Sequence, residues 1–385
     1  MKYDTDFFIG TDIGFFLQNL DEGGAERAIV ALAEYIAKQG GTVDLVVGDA
    51  DSDYRSEVST LVRIENFDSR FPLKVFLCLI NYLRRRNPTV VMSALDVANI
   101  MLIIAAMFAR YKGRIVISQR AVVEASLSDL PIVRRMLIKF LQRICFPKAD
   151  VLISNSYAAA NEIRDLFGVS TDRIFTIHNA LDVDRIKELA REQLLDKWFL
   201  NNNSPLIVSV GSLTTRKDMS TLIRAFAKVK QQREVRLAII GKGYGYQSAE
   251  VSKIKKLIVD LELRESVYLP GFDANPYKWI SAASVFVSSS IAEGFPNAIA
   301  EALALGRPIV ATDCPGDTAE ILEHGKWGRL VPVGEPESMA AAIMATLEDP
   351  KPPDGRIRAA DFSPVKNARA YLKALIPELG SAAAR

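Results

Sequence analysis

Two carboxylates eight residues apart, Glu293 and Glu301, mark the stretch Ile291 to Pro308, where an apolar run, Ala283 to Ser289, passes into a Gly/Pro turn and then a helix. Pro296 suits the first helical turn, Gly306 suits the position just past the end, and Pro308 blocks continuation, which predicts a helix from Pro296 to Leu305. Its first amides, Phe295 to Ala298, lie at the positive end of the helix dipole without intrahelical partners, a setting that suits phosphate. Glu293 falls in the turn and Glu301 within the helix, so the two share no helical face and would touch different parts of one ligand. The competing reading is a Glu293 that complements the dipole and a solvated Glu301. A second pair, Arg216-Lys217, combines a planar fork with a mobile point charge and suits adjacent phosphate oxygens; a solvated basic loop is the alternative.

The elements that must position these residues alternate between strand and helix. Apolar runs at Ile13 to Leu17, Thr42 to Val47, Val90 to Ser93, Arg114 to Ile117 and Val151 to Ser154 are each followed by turn residues and helical periodicity, the pattern of a parallel sheet covered on both faces. After Ile13 to Leu17 comes Gly23-Gly24 and a helical pattern, Arg27 to Gln39; the glycines allow close backbone approach to a ligand, or merely a tight turn. A polar turn ends the strand at Phe175, a charged helix runs to about Lys197, and Asn201 to Ser204 breaks the pattern. A second series begins directly afterwards, with strands at Leu206 to Val210, Val235 to Ile240, Val267 to Leu269, Ala283 to Ser289, Pro308 to Thr312 and Gly328 to Val331. At 385 residues the chain is too long for one ordinary core. The expected division is 1–185 and 186–363, with a terminal helix, about 364–380, packing back on the first domain. Two doubly wound domains would face each other and bind ligands at the carboxyl ends of their strands, across the cleft. The loops there in the second domain are Gly211 to Asp218, Gly241 to Gly245, Gly271 to Asn275 and Ile291 to Asn297; together they describe an anion pocket.

Composition narrows the partners. Apolar residues are 49% and charged residues 24%, ordinary for a globular protein. The net charge of +2 conceals an asymmetry, since Arg55 to Asp150 holds 16 Lys/Arg against 7 Asp/Glu and should attract anions. Within it, Leu130 to Pro147 sets Arg134, Arg135, Lys139 and Arg143 at helical spacing beside Met136, Leu137, Ile138, Phe140, Leu141 and Ile144. Such a helix could lie on an anionic leaflet or be an ordinary helix with a basic face. Val97 to Ala109 is apolar but interrupted by Asn99 and short of the roughly 20 residues a membrane span needs, which favours a buried helix. The three cysteines, Cys78, Cys145 and Cys314, lack metal-like spacing and read as reduced core thiols. No metal-ligand cluster and no basic reading module interleaved with aromatics is present, so no metal and no nucleic acid is expected. No signal-like segment opens the chain, and a cytoplasmic protein is expected. A nicotinamide dehydrogenase is excluded, because Gly241-Lys-Gly-Tyr-Gly245 lacks the spaced third glycine of that fingerprint.

In combination these loops resemble the retaining glycosyltransferases of family 4, which have the two-domain GT-B fold, α/β with two Rossmann-like doubly wound domains. Gly23-Gly-Ala-Glu-Arg27 looks like the family's amino-terminal glycine loop, and Val210-Gly-Ser-Leu-Thr-Thr-Arg-Lys-Asp218 like its diphosphate loop. Glu293 and Glu301 stand as its Glu-x7-Glu pair, filled by Gly294-Phe-Pro-Asn297, and Asn179 to Asp182 is similar to its interdomain segment. The resemblance implies a nucleotide-sugar donor, most simply a UDP-sugar, and no cofactor. Arg216 and Lys217 would neutralise the departing diphosphate, Glu293 would hold hydroxyls of the transferred sugar, and Glu301 would take the ribose hydroxyls. Ser212 and Gly241 would border the donor, the backbone of Gly271 and Phe272 would read the base, and Gly294, Phe295, Pro296, Asn297 and Ala298 would complete the site. Gly23 and Gly24 would close over the diphosphate from the other domain. Where many relatives carry a His near the sugar, this chain has Gln119 or Arg120, the acceptor-side candidates. His178 and His324 read as structural.

The expected activity is transfer of one sugar to a lipid-linked or polysaccharide acceptor in cell-surface glycan biosynthesis. It would take place at the inner face of the cell membrane, with Leu130 to Pro147 on the lipid. A small soluble acceptor, or a non-catalytic nucleotide-sugar-binding protein, is the alternative. Front-face substitution, in which the leaving diphosphate oxygen helps deprotonate the acceptor, fits the lack of a second carboxylate placed for a covalent intermediate.

Overall fold

The computed structural model describes residues 8–20, 24–50, 55, 58–120, 122–127, 130–194, 198–199, 204–243 and 248–376. The chain divides into two compact units, residues 1–180 with 365–385, and residues 181–364. The break after Ala180 precedes the expected one after Arg185. Its cause is packing: Leu181 and Ile186 bury among Ile299, Ala302 and Leu303 of the second unit, and the Leu181 amide donates to Phe362 O at 2.7 Å.

Unit 1 runs β1 (Asp12–Asn19), α1 (Gly24–Lys38), β2 (Thr42–Asp49), β3 (Arg63–Asn66), α2 (Pro72–Arg86), β4 (Val90–Ala94), α3 (Asp96–Ala109), β5 (Arg114–Gln119), α4 (Val123–Leu127), α5 (Ile132–Cys145), β6 (Val151–Ser154), α6 (Tyr157–Phe167) and β7 (Ile174–Thr176). Its sheet is parallel in the order β3-β2-β1-β4-β5-β6-β7. Side chains alternate across it. Ile13, Phe15 and Leu17 of β1 pack beneath α1, and Phe16 turns to the face under α2 and α3. β3 was not expected: its sequence, Arg-Ile-Glu-Asn, has one apolar residue and no buried one, as an edge strand tolerates. It is held by register, Asp44 opposite Arg63, and by an Arg63 Nη2 to Asp44 Oδ2 bond of 2.7 Å.

Unit 2 runs α7 (Val183–Leu189), β8 (Leu206–Val210), α8 (Met219–Gln232), β9 (Arg236–Ile240), α9 (Ser248–Asp260), β10 (Val267–Gly271), α10 (Tyr277–Ala282), β11 (Val285–Ser288), α11 (Asn297–Ala304), β12 (Ile309–Thr312), α12 (Thr318–Ile321), β13 (Arg329–Val331), α13 (Pro336–Leu347) and α14 (Arg356–Ala359). Its parallel sheet has the order β10-β9-β8-β11-β12-β13. The last helix, α15 (Pro364–Leu375), buries Ala368, Tyr371, Leu372 and Leu375 in the unit 1 core with Ile29, Ala33 and Met92.

Two helices differ from expectation in ways that matter. α11 begins at Asn297, because Pro296 is its N-cap with a non-helical ψ of 83° and its carbonyl accepts the Ile299 and Ala300 amides. It ends at Ala304, and Gly306 follows in the left-handed region at φ +64°. In α5 the apolar residues do not form one surface. Ile138 and Cys145 are buried against the sheet with Gln142, whereas Met136, Leu137, Phe140 and Ile144 are exposed, together with Ile132 and Val133.

α3 is a core helix, with Leu102, Ile103 and Ala105 fully buried. Asn99, the residue that interrupts its apolar run, is buried and satisfied: it accepts from Ser93 Oγ at 2.8 Å and donates to Ser118 O at 2.9 Å. Among the described residues no helix is long and apolar enough to cross a membrane.

Candidate active site

In unit 2 the chain order reverses between β8 and β11, which are neighbours in the sheet. Such a switch point opens a crevice at the carboxyl ends of the strands, because the helices after the two strands leave to opposite sides. The loop after β8 supplies Arg216 and Lys217, and the loop after β11 supplies Glu293. Arg216 Nη1 donates to Glu293 Oε2 at 2.8 Å, Lys217 Nζ binds Glu293 Oε1, and Ser290 Oγ donates to the same oxygen at 2.5 Å. Glu293 is 6% exposed, so its charge is all but removed from water. Burial alone would push its carboxyl up, but the Lys217 and Arg216 charges and the hydrogen bonds from Lys217 and Ser290 outweigh that and bring it to about 2. The carboxylate is thus ionised at neutral pH and pairs with both cations at once.

Local sequence explains the positions. Asp218 adopts φ +40° and caps α8, accepting from the Thr221 amide at 3.2 Å and from Thr221 Oγ1 at 2.6 Å; this sharp entry leaves Arg216 and Lys217 in the turn ahead of the helix. The two loops are also stitched together through the backbone. Ile291 N donates to Arg216 O at 2.8 Å, Ser289 Oγ to Lys217 O at 2.8 Å, and Arg216 Nη1 to Ala292 O at 2.9 Å.

The glycine-bearing loops converge on the same edge. Gly241 N donates to Gly271 O, and Leu213 N to Lys242 O. A Cβ on Gly241, whose φ is +151°, would stand 1.9 Å from Gly211 O, so only glycine permits this approach. Phe272 is exposed, with Lys242 Nζ 4.6 Å from its ring centroid. Ser212 is partly exposed in the first loop, and Gly294 accepts from Asp317 N at 3.1 Å. Phe295, by contrast, sends its side chain into the core against Phe362. Asn297 and Ala298 open α11, and Glu301 lies one turn further along, partly exposed.

Ser290 and the loop after β12 escaped the sequence reading. Glu293 N donates to Pro315 O at 2.9 Å, and a Cβ on Gly316, at φ +127°, would lie 2.1 Å from Glu293 O. Thr312 Oγ1 donates to Ser290 O at 2.5 Å. The signal was available, since Asp313-Cys-Pro-Gly316 follows a strand in the way the other four loops do.

In unit 1, Gly24 is the first residue of α1, and Gly23 lies outside the described residues, as do Gly245 and 201–203. Gln119 is buried at the end of β5 and donates to Asp96 Oδ1 at 3.1 Å, an oxygen that also takes Gln142 Nε2 at 2.7 Å. Arg120 donates to Asn179 Oδ1 at 2.8 Å and to the Tyr371 hydroxyl at 3.2 Å. Both partners are neutral side chains. His178 packs edge-on to Tyr157. The three cysteines are free, and burial pushes the Cys145 and Cys314 thiols up.

The comparisons match this architecture. Residues 22–185 match the Glycosyltransferase Family 4 profile, and residues 204–349 match that of Glycosyl transferases group 1. The chain is 29% identical, over 94% of its length and 99% of the relative's, to the N-acetylgalactosamine-N,N'-diacetylbacillosaminyl-diphospho-undecaprenol 4-alpha-N-acetylgalactosaminyltransferase of Campylobacter jejuni. It is 26% identical, over 85% of its length and 86% of the relative's, to the lipopolysaccharide core biosynthesis glycosyltransferase LpsE of Rhizobium meliloti. Among solved structures, HepE of Anabaena in complex with UDP superposes with a TM-score of 0.73 at 20% identity, covering 97% of this chain and 98% of HepE. Sucrose-phosphate synthase of Thermosynechococcus elongatus gives 0.79 at 20% identity, covering 97% and 100%. The two parallel-sheet units are those of the GT-B fold, and the chain belongs to the group 1, family 4 glycosyltransferases.

Proposed function

We propose that this glycosyltransferase moves a sugar from a UDP-sugar, with retention of anomeric configuration, to a lipid-linked glycan at the inner face of the cell membrane. The observation that carries the donor half is the Arg216–Lys217–Glu293 cluster at the β8/β11 switch point. A nucleotide-sugar diphosphate gains charge as the glycosidic bond breaks, and a guanidinium beside an ammonium is suited to stabilise it. Glu293, released from the cations as the diphosphate engages them, turns its oxygens to hydroxyls of the transferred sugar. Glu301 takes the ribose, Ser212, Gly241 and the first amides of α11 border the phosphates, and the backbone at Gly271-Phe272 meets the base. Charge neutralisation falls to side chains, so the proposal includes no metal and no cofactor, and activity should survive chelation by EDTA.

Retention follows from front-face departure of the diphosphate, with its own oxygen assisting deprotonation of the acceptor. A glycosyl adduct trapped on any side chain would refute that step. The acceptor half rests on the relatives, whose names include a diphospho-undecaprenol substrate and the lipopolysaccharide core, and on the exposed apolar and basic faces of α5. A panel of nucleotide-sugars tests the donor assignment: a ligand at 100 times its Kd adds about 2.7 kcal/mol of stability. No shift of Tm with any nucleotide or nucleotide-sugar would overturn it.

A further inference from the structure

The exposed apolar surface of unit 1 is wider than α5. α2, α3 and α5 lie on one face of the sheet. Val75, Leu79 and Leu83 of α2 and Leu102 and Ala105 of α3 share a cluster with Phe16, Val46 and Val91, whereas Ile100 and Ile103 of α3 share one with Ile138 and Cys145 of α5. α3 therefore sits between the other two. With their inner sides used by the sheet, these helices still carry large apolar side chains outward. Phe71, Leu73 and Leu77 at the start of α2 are 78%, 71% and 57% exposed, and Met107 and Phe108 at the end of α3 are 55% and 63% exposed. The two groups meet: the Phe76 and Phe108 rings stack edge to face at 5.9 Å, and Arg84 Nη2 donates to Phe108 O at 2.8 Å. Of the 19 large apolar side chains exposed among the described residues, 12 belong to Phe71 and these three helices. A concentration of this kind marks an interaction surface rather than scatter.

Charge identifies what covers it. Residues 70–148 contain 14 Lys/Arg and 3 Asp/Glu. Arg84 and Arg85 stand in the last turn of α2, Arg110 caps α3, and Arg134 and Arg143 flank the apolar stripe of α5. A second copy docking through the same face would set these cations against one another. An anionic bilayer supplies both an apolar interior and fixed negative headgroups.

We infer that α2, α3 and α5 form one bilayer-docking face, in which the Phe71–Leu77 and Met107–Phe108 side chains enter the anionic leaflet together with α5. This rests on the membrane reading proposed above and extends it from α5 to two further helices of the same face.

Sedimentation of the full chain with vesicles of phosphatidylglycerol and phosphatidylcholine tests the inference. The doubly substituted L73Q/F108Q protein, neutral so that electrostatics is unchanged, should partition at least tenfold less than the parent, as should M136Q/F140Q in α5. The single variant Phe71→Gln, at a side chain that is 78% exposed and makes no cap hydrogen bond, should lose several-fold and guards against misfolding of the double variant. Unchanged binding of both L73Q/F108Q and Phe71→Gln alongside loss in M136Q/F140Q overturns the wider face and leaves the α5 reading standing. Failure of the parent to bind anionic vesicles overturns both.

Discussion

Replacing Glu293 with Gln keeps the shape of the side chain and removes the carboxylate that, among the described residues, pairs with both Arg216 and Lys217. The carboxyl lies at about 2 in the folded protein against an ordinary 4.5, a gap that by linkage corresponds to about 3 kcal/mol. Because the folded value is depressed, that stability is present above about pH 4.5 and is lost as pH falls toward 2. Glu293→Gln should therefore lower Tm at pH 7, by roughly 6–12 °C for a unit of this size, and should flatten the acid limb of the parent's pH–stability curve over that window. The same substitution should improve binding of a nucleoside diphosphate. In the parent, the diphosphate must displace the carboxylate from both cations, whereas in the variant no carboxylate competes for them. A gain of about tenfold in Kd, equivalent to about 1.4 kcal/mol, is expected by titration calorimetry with UDP, alongside a fall in turnover because the sugar loses its anionic acceptor. UDP that binds Glu293→Gln no more tightly than the parent, with Tm unchanged, would refute the view that Glu293 restrains the two cations.

Gly241→Ala would place a methyl 1.9 Å from Gly211 O at a φ of +151°; the β8 and β9 loops should separate, and UDP-induced thermal stabilisation should vanish while far-UV circular dichroism stays near that of the parent. Gly316→Ala, with its methyl 2.1 Å from Glu293 O, should shift Glu293 and lower kcat, and a variant with the parent's kcat would remove that loop from the site. Arg120→Met should raise the KM for an anionic acceptor without altering UDP binding, since Arg120 is held by the neutral Asn179 and Tyr371; an unchanged KM would leave it a structural tether. Cys145 and Cys314, buried with their thiols pushed up, should resist iodoacetamide at pH 8 in the folded protein and react only on unfolding.

Much of this molecule is legible in the residues themselves. Runs such as Val90–Ala94 and Val151–Ser154 are buried along their whole length, and a strand covered on both faces is mostly apolar, so composition announces it. The turn chemistry of Pro296, Gly306 and Pro308 located α11 to within a residue at each end, because φ restriction and left-handed φ are properties of single residues. The types and loop placement of Arg216, Lys217 and Glu293 likewise singled out the three residues that the structure brings into contact.

Other features depend on contacts between residues far apart in the chain. β3 is a strand only because β2 lies beside it, and α7 joins unit 2 only because Leu181 and Ile186 find a core there. Spacing could not tell that Ile138 faces the sheet while Met136 and Phe140 face outward, nor that α2 and α3 would widen their surface. Most of all, no local pattern states that Glu293 and Lys217, 76 residues apart, form an ion pair. That follows from sheet order: β8 and β11 become neighbours only when the strands assemble, and the crevice between their loops brings the two cations and the carboxylate together.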